Sequence, residues 1–193
     1  PVCSRNVVCG STPNPVAVPG IWPFVYAVDP EAAARAAAGG AVTVEMWELV
    51  AREHIRDTLA RYNWSGDAGA IDGLAEAFCA DGALEIRGLE PLRGRSAIAA
   101  FLGGVTGKVA ADAGIKPLVR HNLTNVSFTE LSPERAHVRS YFTVITHIGL
   151  DHCGRYRDIL VPDGAGWLIK RRQVSTDWAA PGSALARPPS GAN

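Results

Sequence analysis

RAHVRSYFTVIT, residues 135–146, is rich in Val, Thr and aromatic side chains and reads as a strand. Leu118–Leu131, His152–Val161 and Trp167–Trp178 have the same character, with turns at Ser132-Pro133 and Asp163-Gly164. Everything after Lys116 is therefore expected to be sheet. What precedes it is mostly helical. Trp47, Val50, His54/Ile55, Thr58/Leu59 and Tyr62 fall at the three-and-four spacing of an amphipathic helix. Ser65-Gly66-Asp67 reads as its break. Ile71, Leu74, Ala75 and Phe78 predict a second helix that ends at Asp81-Gly82. Ala83–Arg87 alternates like a strand, and Gly94–Leu102 predicts a third helix closed by Gly103-Gly104. Helices segregated ahead of an antiparallel sheet give an α+β fold.

The chain has 193 residues, enough for one domain with tails. Residues 1–43 are rich in Pro, Gly and Ala without periodicity and are expected to be a disordered extension. Residues 44–178 form the domain, and 179–193 are expected to be a disordered tail. The single methionine, Met46, heads the first periodic segment, so a natural start near it is an expectation. VAVPGIWPFVYAV, residues 16–28, is interrupted by Pro19 and Pro23 and makes a poor signal peptide. No apolar run spans a bilayer, and a cytoplasmic location is expected.

Nineteen basic and nineteen acidic residues give a formal net charge of zero, scattered without runs of one sign. That distribution argues against nucleic-acid or membrane partners and for a small hydrophobic molecule or a protein partner. Cys3, Cys9, Cys79 and Cys153 lack the spacing of a zinc site or a disulfide framework. His147 and His152 flank Gly149 in a hairpin-like connection with no third ligand, and are expected to be exposed. Nucleotide, acyl-serine and zinc motifs are missing from the sequence, so no cofactor and no metal are expected.

Five segments carry a family resemblance: IRDTLARYNWSGDAGAIDGLAEAFCADGALE (55–85), RGRSAIAAFL (93–102), RHNLTNV (120–126), GRYRDILV (154–161) and GWLIKRRQVSTDW (166–178). Together they resemble the SnoaL-like family of the nuclear transport factor 2-like superfamily, across residues 44–178. The superfamily also holds polyketide cyclases, scytalone- and bile-acid-type dehydratases and ketosteroid isomerases. The resemblance implies a cone-shaped α+β barrel, with N-terminal helices packed on a curved, mostly antiparallel sheet and a blind pocket between them. It also implies a working set of Tyr, Asp and His, matched here by Tyr62, Asp67 and His121.

Chemistry independently suits those three. Eliminating water beside a carbonyl needs a base for the α-proton and an acid for the departing hydroxyl. A histidine oriented by a carboxylate is a natural base, and a phenol in a dry pocket is a natural donor. Plainer roles stand beside these: Asp67 as a turn residue or helix N-cap, Tyr62 as core packing, His121 as a structural strand histidine. Around them, Trp64 is a candidate lid or wall, with packing the alternative. Asn125 faces inward with His121 if the strand is regular. Tyr156 and Asp158 share one face of their strand, and Asp158 is expected either to supply a second carboxylate or to pair with an arginine on a neighbouring strand.

Where ketosteroid isomerases carry their base, the resemblance places Ile86, and alternation turns Glu85 to the opposite face unless a bulge intervenes. Isomerase chemistry is thus disfavoured. The expected function is a cofactor-independent dehydratase- or cyclase-like enzyme acting on a steroid- or polyketide-like carbonyl compound. The alternative is a non-catalytic binding or dimerisation module, and a homodimer suits both.

Overall fold

The structure, a computed structural model, describes residues 44–113, 118–164 and 166–186, without the side chains of 106–113. The chain divides into two units at Thr43/Val44, and the first lies outside the described residues, as does the extension expected there. In the second unit α1 (Met46–Ala68), α2 (Ile71–Ala75) and α3 (Arg95–Ala113) accompany β1 (Phe78–Ile86), β2 (Leu92–Arg93), β3 (Val119–Leu131), β4 (Ala136–Thr146), β5 (Gly149–Asp163) and β6 (Gly166–Ala179). The strands form one curved, unclosed sheet in the order β2-β1-β6-β5-β4-β3. All neighbours run antiparallel except β1 and β6.

The α+β expectation holds, and β3 to β6 fall within a few residues of their predicted spans. The helices differ in three places. Ser65-Gly66-Asp67 does not interrupt α1, which runs on to Ala68 and stops where Gly69 turns left-handed at φ 72°. The Gly69 and Ala70 N–H groups there donate to Gly66 and Ser65 carbonyls, satisfying the helix end. The second helix has five residues, because Phe78 already pairs with Ile169 of β6 and the Ile169 N–H donates to the Ala77 carbonyl. Tertiary pairing overrides the helical spacing there. Gly103-Gly104 lies inside α3: each glycine costs an interior helix only about 1 kcal/mol, too little to end it.

The core lies between α1 and the inner face of the sheet. Ile55, Leu59, Tyr62, Phe78, Leu84, Ile98, Leu160 and Ile169 are buried there together. A second apolar cluster of Val119, Phe142, Val144 and Tyr156 covers the other end of that face. Gly154 makes the join possible. A Cβ on it would sit 2.1 Å from the Ser175 carbonyl oxygen and 2.8 Å from the Phe142 ring. No helix among the described residues is long and apolar enough to cross a membrane.

Candidate functional site

The inner sheet face carries two polar groups, one at its open end beside the Phe142 cluster and one enclosed between that cluster and the main core. At the first, Asp67 meets His121. The carboxylate accepts from the His121 backbone N–H at 3.0 and 3.2 Å, and its Oδ1 lies 2.6 Å from the ring Nδ1. Asp67 stands in the last turn of α1, at the negative end of the helix dipole, where a carboxylate is disfavoured. It caps no helix: the N-cap of α2 is Ala70, with no side-chain bond. The contact with β3 therefore offsets an unfavourable placement. The His121 side chain keeps 21% of its surface exposed, so the ring is reachable.

His121 lies level with Val144 of β4, and Val144 with His152 of β5, so two imidazoles stand in one row with a valine between them. His152 is buried, not exposed as the hairpin position suggested, and its Nδ1 lies 2.7 Å from Asp151 Oδ1. A β-bulge produces this. Ile145 pairs with Leu150 and Val144 with His152, leaving Asp151 as the extra residue, so that neighbouring side chains turn to one side. Asp151 also accepts from Thr146 Oγ1 at 3.1 Å and Ser183 Oγ at 2.6 Å. Burial opposes its charge, but the bonds from Ser183, His152 and Thr146 outweigh that and hold its pKa below the usual carboxylate value. Burial pushes the His152 imidazole down, Asp151 opposes the shift, and the positive charge of a protonated His121 adds to it.

The second group is closed. Asp158 accepts a two-pronged bond from Arg172 Nε and Nη2, both at 2.8 Å, with both side chains fully buried. Asp158 thus pairs with a neighbouring-strand arginine, the second of its two expected roles. The guanidinium lies 4.2 Å from the Tyr62 ring centre and 4.1 Å from that of Tyr156. Burial raises both phenols, keeping them protonated at neutral pH; the Arg172 charge only partly offsets this. Burial alone would lower the Arg172 pKa, but the charge and bonds of Asp158 outweigh it and keep the group charged. Among the described residues its Nη1 has no hydrogen-bond partner, and neither does the buried Ser140 hydroxyl.

The three residues matched to the dehydratase set are thus divided. Asp67 and His121 bond, while Tyr62 belongs to the Arg172 cluster. Among the described residues no hydrogen bond joins its phenol to either partner. Tyr156 stands between, edge-on to Tyr62 at 6.4 Å and stacked on Phe142 at 4.5 Å, with its phenol sensing the charges of both Asp158 and Asp67.

The remaining sequence candidates fall as follows. Ile86 packs against the core, and Glu85 faces the other way, bonded to Arg171 and Gln173. Trp64 is 75% exposed, so it is neither packed nor, in this conformation, a wall. Asn125 does not share the inward face of His121. It sits at a bulge with φ 52°, which breaks the alternation and leaves it exposed. Arg172 escaped the sequence reading for a similar reason: Lys170 is an extra residue between the Leu160–Ile169 and Ile159–Arg171 pairs. Alternation from Ile169 would send Arg172 outward, and the bulge reverses it. Among the described residues no three metal-ligating side chains converge.

Residues 47–173 match the model of the SnoaL-like domain. The chain belongs to the SnoaL-like family. This SnoaL-like chain is 27% identical to a nuclear transport factor 2-like protein with a cystatin-like fold from Novosphingobium aromaticivorans, over 84% of its own length and 96% of the other's, with a TM-score of 0.58. It is 25% identical to a variant of Rv3472 of Mycobacterium tuberculosis, a protein of unknown function, over 76% and 83% of the two chains, with a TM-score of 0.61. A proposed scytalone dehydratase from N. aromaticivorans shares the fold, at 22% identity over 75% and 96% of the chains and a TM-score of 0.60. No curated protein matches the sequence.

Proposed function

We propose that this SnoaL-like protein is an acid–base lyase of the dehydratase type, acting without a cofactor on a hydrophobic cyclic carbonyl compound. The observation that carries the reading is the Asp67–His121 pair, a partly exposed imidazole oriented by a carboxylate held against the helix dipole. With Asp67 on Nδ1, His121 offers Nε2 to the substrate. Nε2 takes the proton α to the carbonyl, and the electron pair moves into an enolate. The C=C bond then forms as the β-hydroxyl departs with that proton as water. The mechanism further requires substrate to reach the phenols of Tyr62 and Tyr156, protonated but buried beside Arg172, for them to donate to the enolate oxygen. A likeness of fold to a proposed scytalone dehydratase agrees with this chemistry but does not carry it.

The test begins with thermal stabilisation by steroid- and polyketide-like hydroxyketones, since a ligand that binds the folded state raises its apparent stability. With a ligand that is also turned over, His121→Ala is expected to cost about 10²–10⁴-fold in kcat while the protein stays folded. Unchanged turnover in that variant would end the proposal.

The second reading is a non-catalytic module, and one feature favours it: the exposed Tyr141, Ile145, Leu150 and Trp178, suited to pairing of two copies. A dimer that binds none of the hydroxyketones would favour this reading.

A further inference from the structure

Although the sequence scatters its charges evenly, the fold gathers arginines on the outer face of the sheet. Arg139 of β4 stands directly opposite Arg157 of β5, and that row continues through Gln173 of β6 to Glu85 of β1. Directly opposed side chains in a sheet are close neighbours, and like charges there are destabilising. A nearby carboxylate would ordinarily relieve such a pair. Here the local carboxylates are taken. Glu85 receives Arg171 Nε and Nη2 at 2.7 and 2.8 Å and Gln173 Nε2 at 2.9 Å, and Asp177 receives Arg155 at 2.8 Å. Asp158, on the inner face, is held by Arg172. Among the described residues neither Arg139 nor Arg157 has an acidic partner.

The two arginines border a cleft of about 300 Å³, lined also by Arg171, His137, Gln173, Thr129, two apolar residues and Asp158, whose carboxylate is held by Arg172. His137 adds a second unmet demand. Among the described residues its buried Nε2 has no hydrogen-bond partner, with a carboxylate oxygen of Glu130 3.6 Å away. A two-fold pairing of copies through this row would set like charges against like, because such an interface opposes one patch to itself.

We propose that the cleft between Arg139 and Arg157 is a binding site for a small oxyanion, the phosphate or carboxylate group of a small molecule. Two guanidinium groups bordering one concave site suit oxygen pairs of that kind, and His137 lines the same cleft. The site lies on the sheet face opposite His121, so it stands or falls independently of the lyase reading.

The experiment measures melting temperature against inorganic phosphate, with sodium chloride at matched ionic strength and pH as control, and acetate as the carboxylate arm. The parent protein is expected to show a saturable rise with one of the two anions, the stronger arm identifying which group the site takes. Arg157→Gln is expected to melt higher than the parent in chloride, because one of two opposed charges is gone. Its response to the anion is expected to weaken at least tenfold. Arg139→Gln should repeat both effects, so the result does not hang on one variant.

Phosphate also stabilises proteins generally by exclusion from their surfaces, but that effect would persist in the variants. A response equal in parent and variants would overturn the proposal. So would a fall in melting temperature of both variants in chloride, which would mean that the arginines already have partners. Light scattering on the same samples covers the remaining case: anion-dependent dimerisation would make the arginines an interface and would likewise overturn a small-molecule site.

Discussion

The inner face of the sheet has a closed region, between its two apolar clusters, and an open end, each built around a carboxylate paired with a basic side chain. In the closed region Asp158 and Arg172 are fully buried, and two aromatic rings flank the guanidinium. At the open end Asp67 and His121 are also paired, but 10% and 21% of their side-chain surface remains exposed. The difference lies in what each pair can exchange with the outside. A fully buried ion pair cannot lose its partner without leaving a bare charge in the interior, so it organises packing. A partly exposed imidazole is within reach of a ligand, so it can do chemistry.

That contrast is most easily broken in the closed region. Arg172→Ala should destabilise the fold by about 3–5 kcal/mol, because Asp158 is left unpaired. Urea unfolding measures it, and a loss below about 1 kcal/mol would mean that the Arg172–Asp158 pair behaves as an exposed one. Next in size, Asp67→Asn replaces a charged acceptor with a neutral one and should cost about 1.5–3 kcal/mol at most, with a larger effect on turnover than on folding. If folding suffers more than turnover, the two regions do not differ in kind.

A comparable or smaller effect, about 1.5 kcal/mol, is expected from Ser183→Ala, which removes the 2.6 Å bond to Asp151 and the acceptor of the Leu185 and Ala186 N–H groups. Part of the segment read as a tail is involved. The Ala180 N–H donates to the Asp151 carbonyl, and Leu185 packs against the Phe142 cluster. The smallest effect is one of pH. The folded-state pKa of His152 lies below imidazole's usual 6.5, so the unfolded chain binds the proton more readily. Its contribution is fully present above about pH 6.5 and is lost as pH falls through the lower, folded-state value. His152→Gln should therefore flatten the fall in melting temperature between neutral and mildly acid pH. An unchanged profile would show that His152 does not titrate differently on folding.

The order of helices and sheet was legible because strand composition after Lys116 differs so plainly from what precedes it. Asp67 and His121 could be matched through the family resemblance, but their contact spans 54 residues and no local pattern announces it. Three bulges set the limit of the rest. Those near Asn125, Asp151 and Lys170 each shift a strand's phase by one residue, which exposes Asn125, turns Asp151 beside His152 and turns Arg172 inward. Alternation assumes that the phase never slips. Tyr62, matched as a catalytic residue with core packing as its plainer role, is buried in the core, and its neighbour there, Arg172, is hidden from alternation by the slip at Lys170.

The central claim is that His121 is a base. It is tested most directly by nuclear magnetic resonance of α-proton exchange in heavy water, with a panel of polycyclic hydroxyketones and without any need to know the natural product. The parent is expected to catalyse deuterium wash-in at the α-carbon of at least one of them, and His121→Ala to lose about 10²-fold or more of that rate while remaining folded. Equal exchange by the parent and the variant, or none by the parent with a ketone shown to bind, would contradict it.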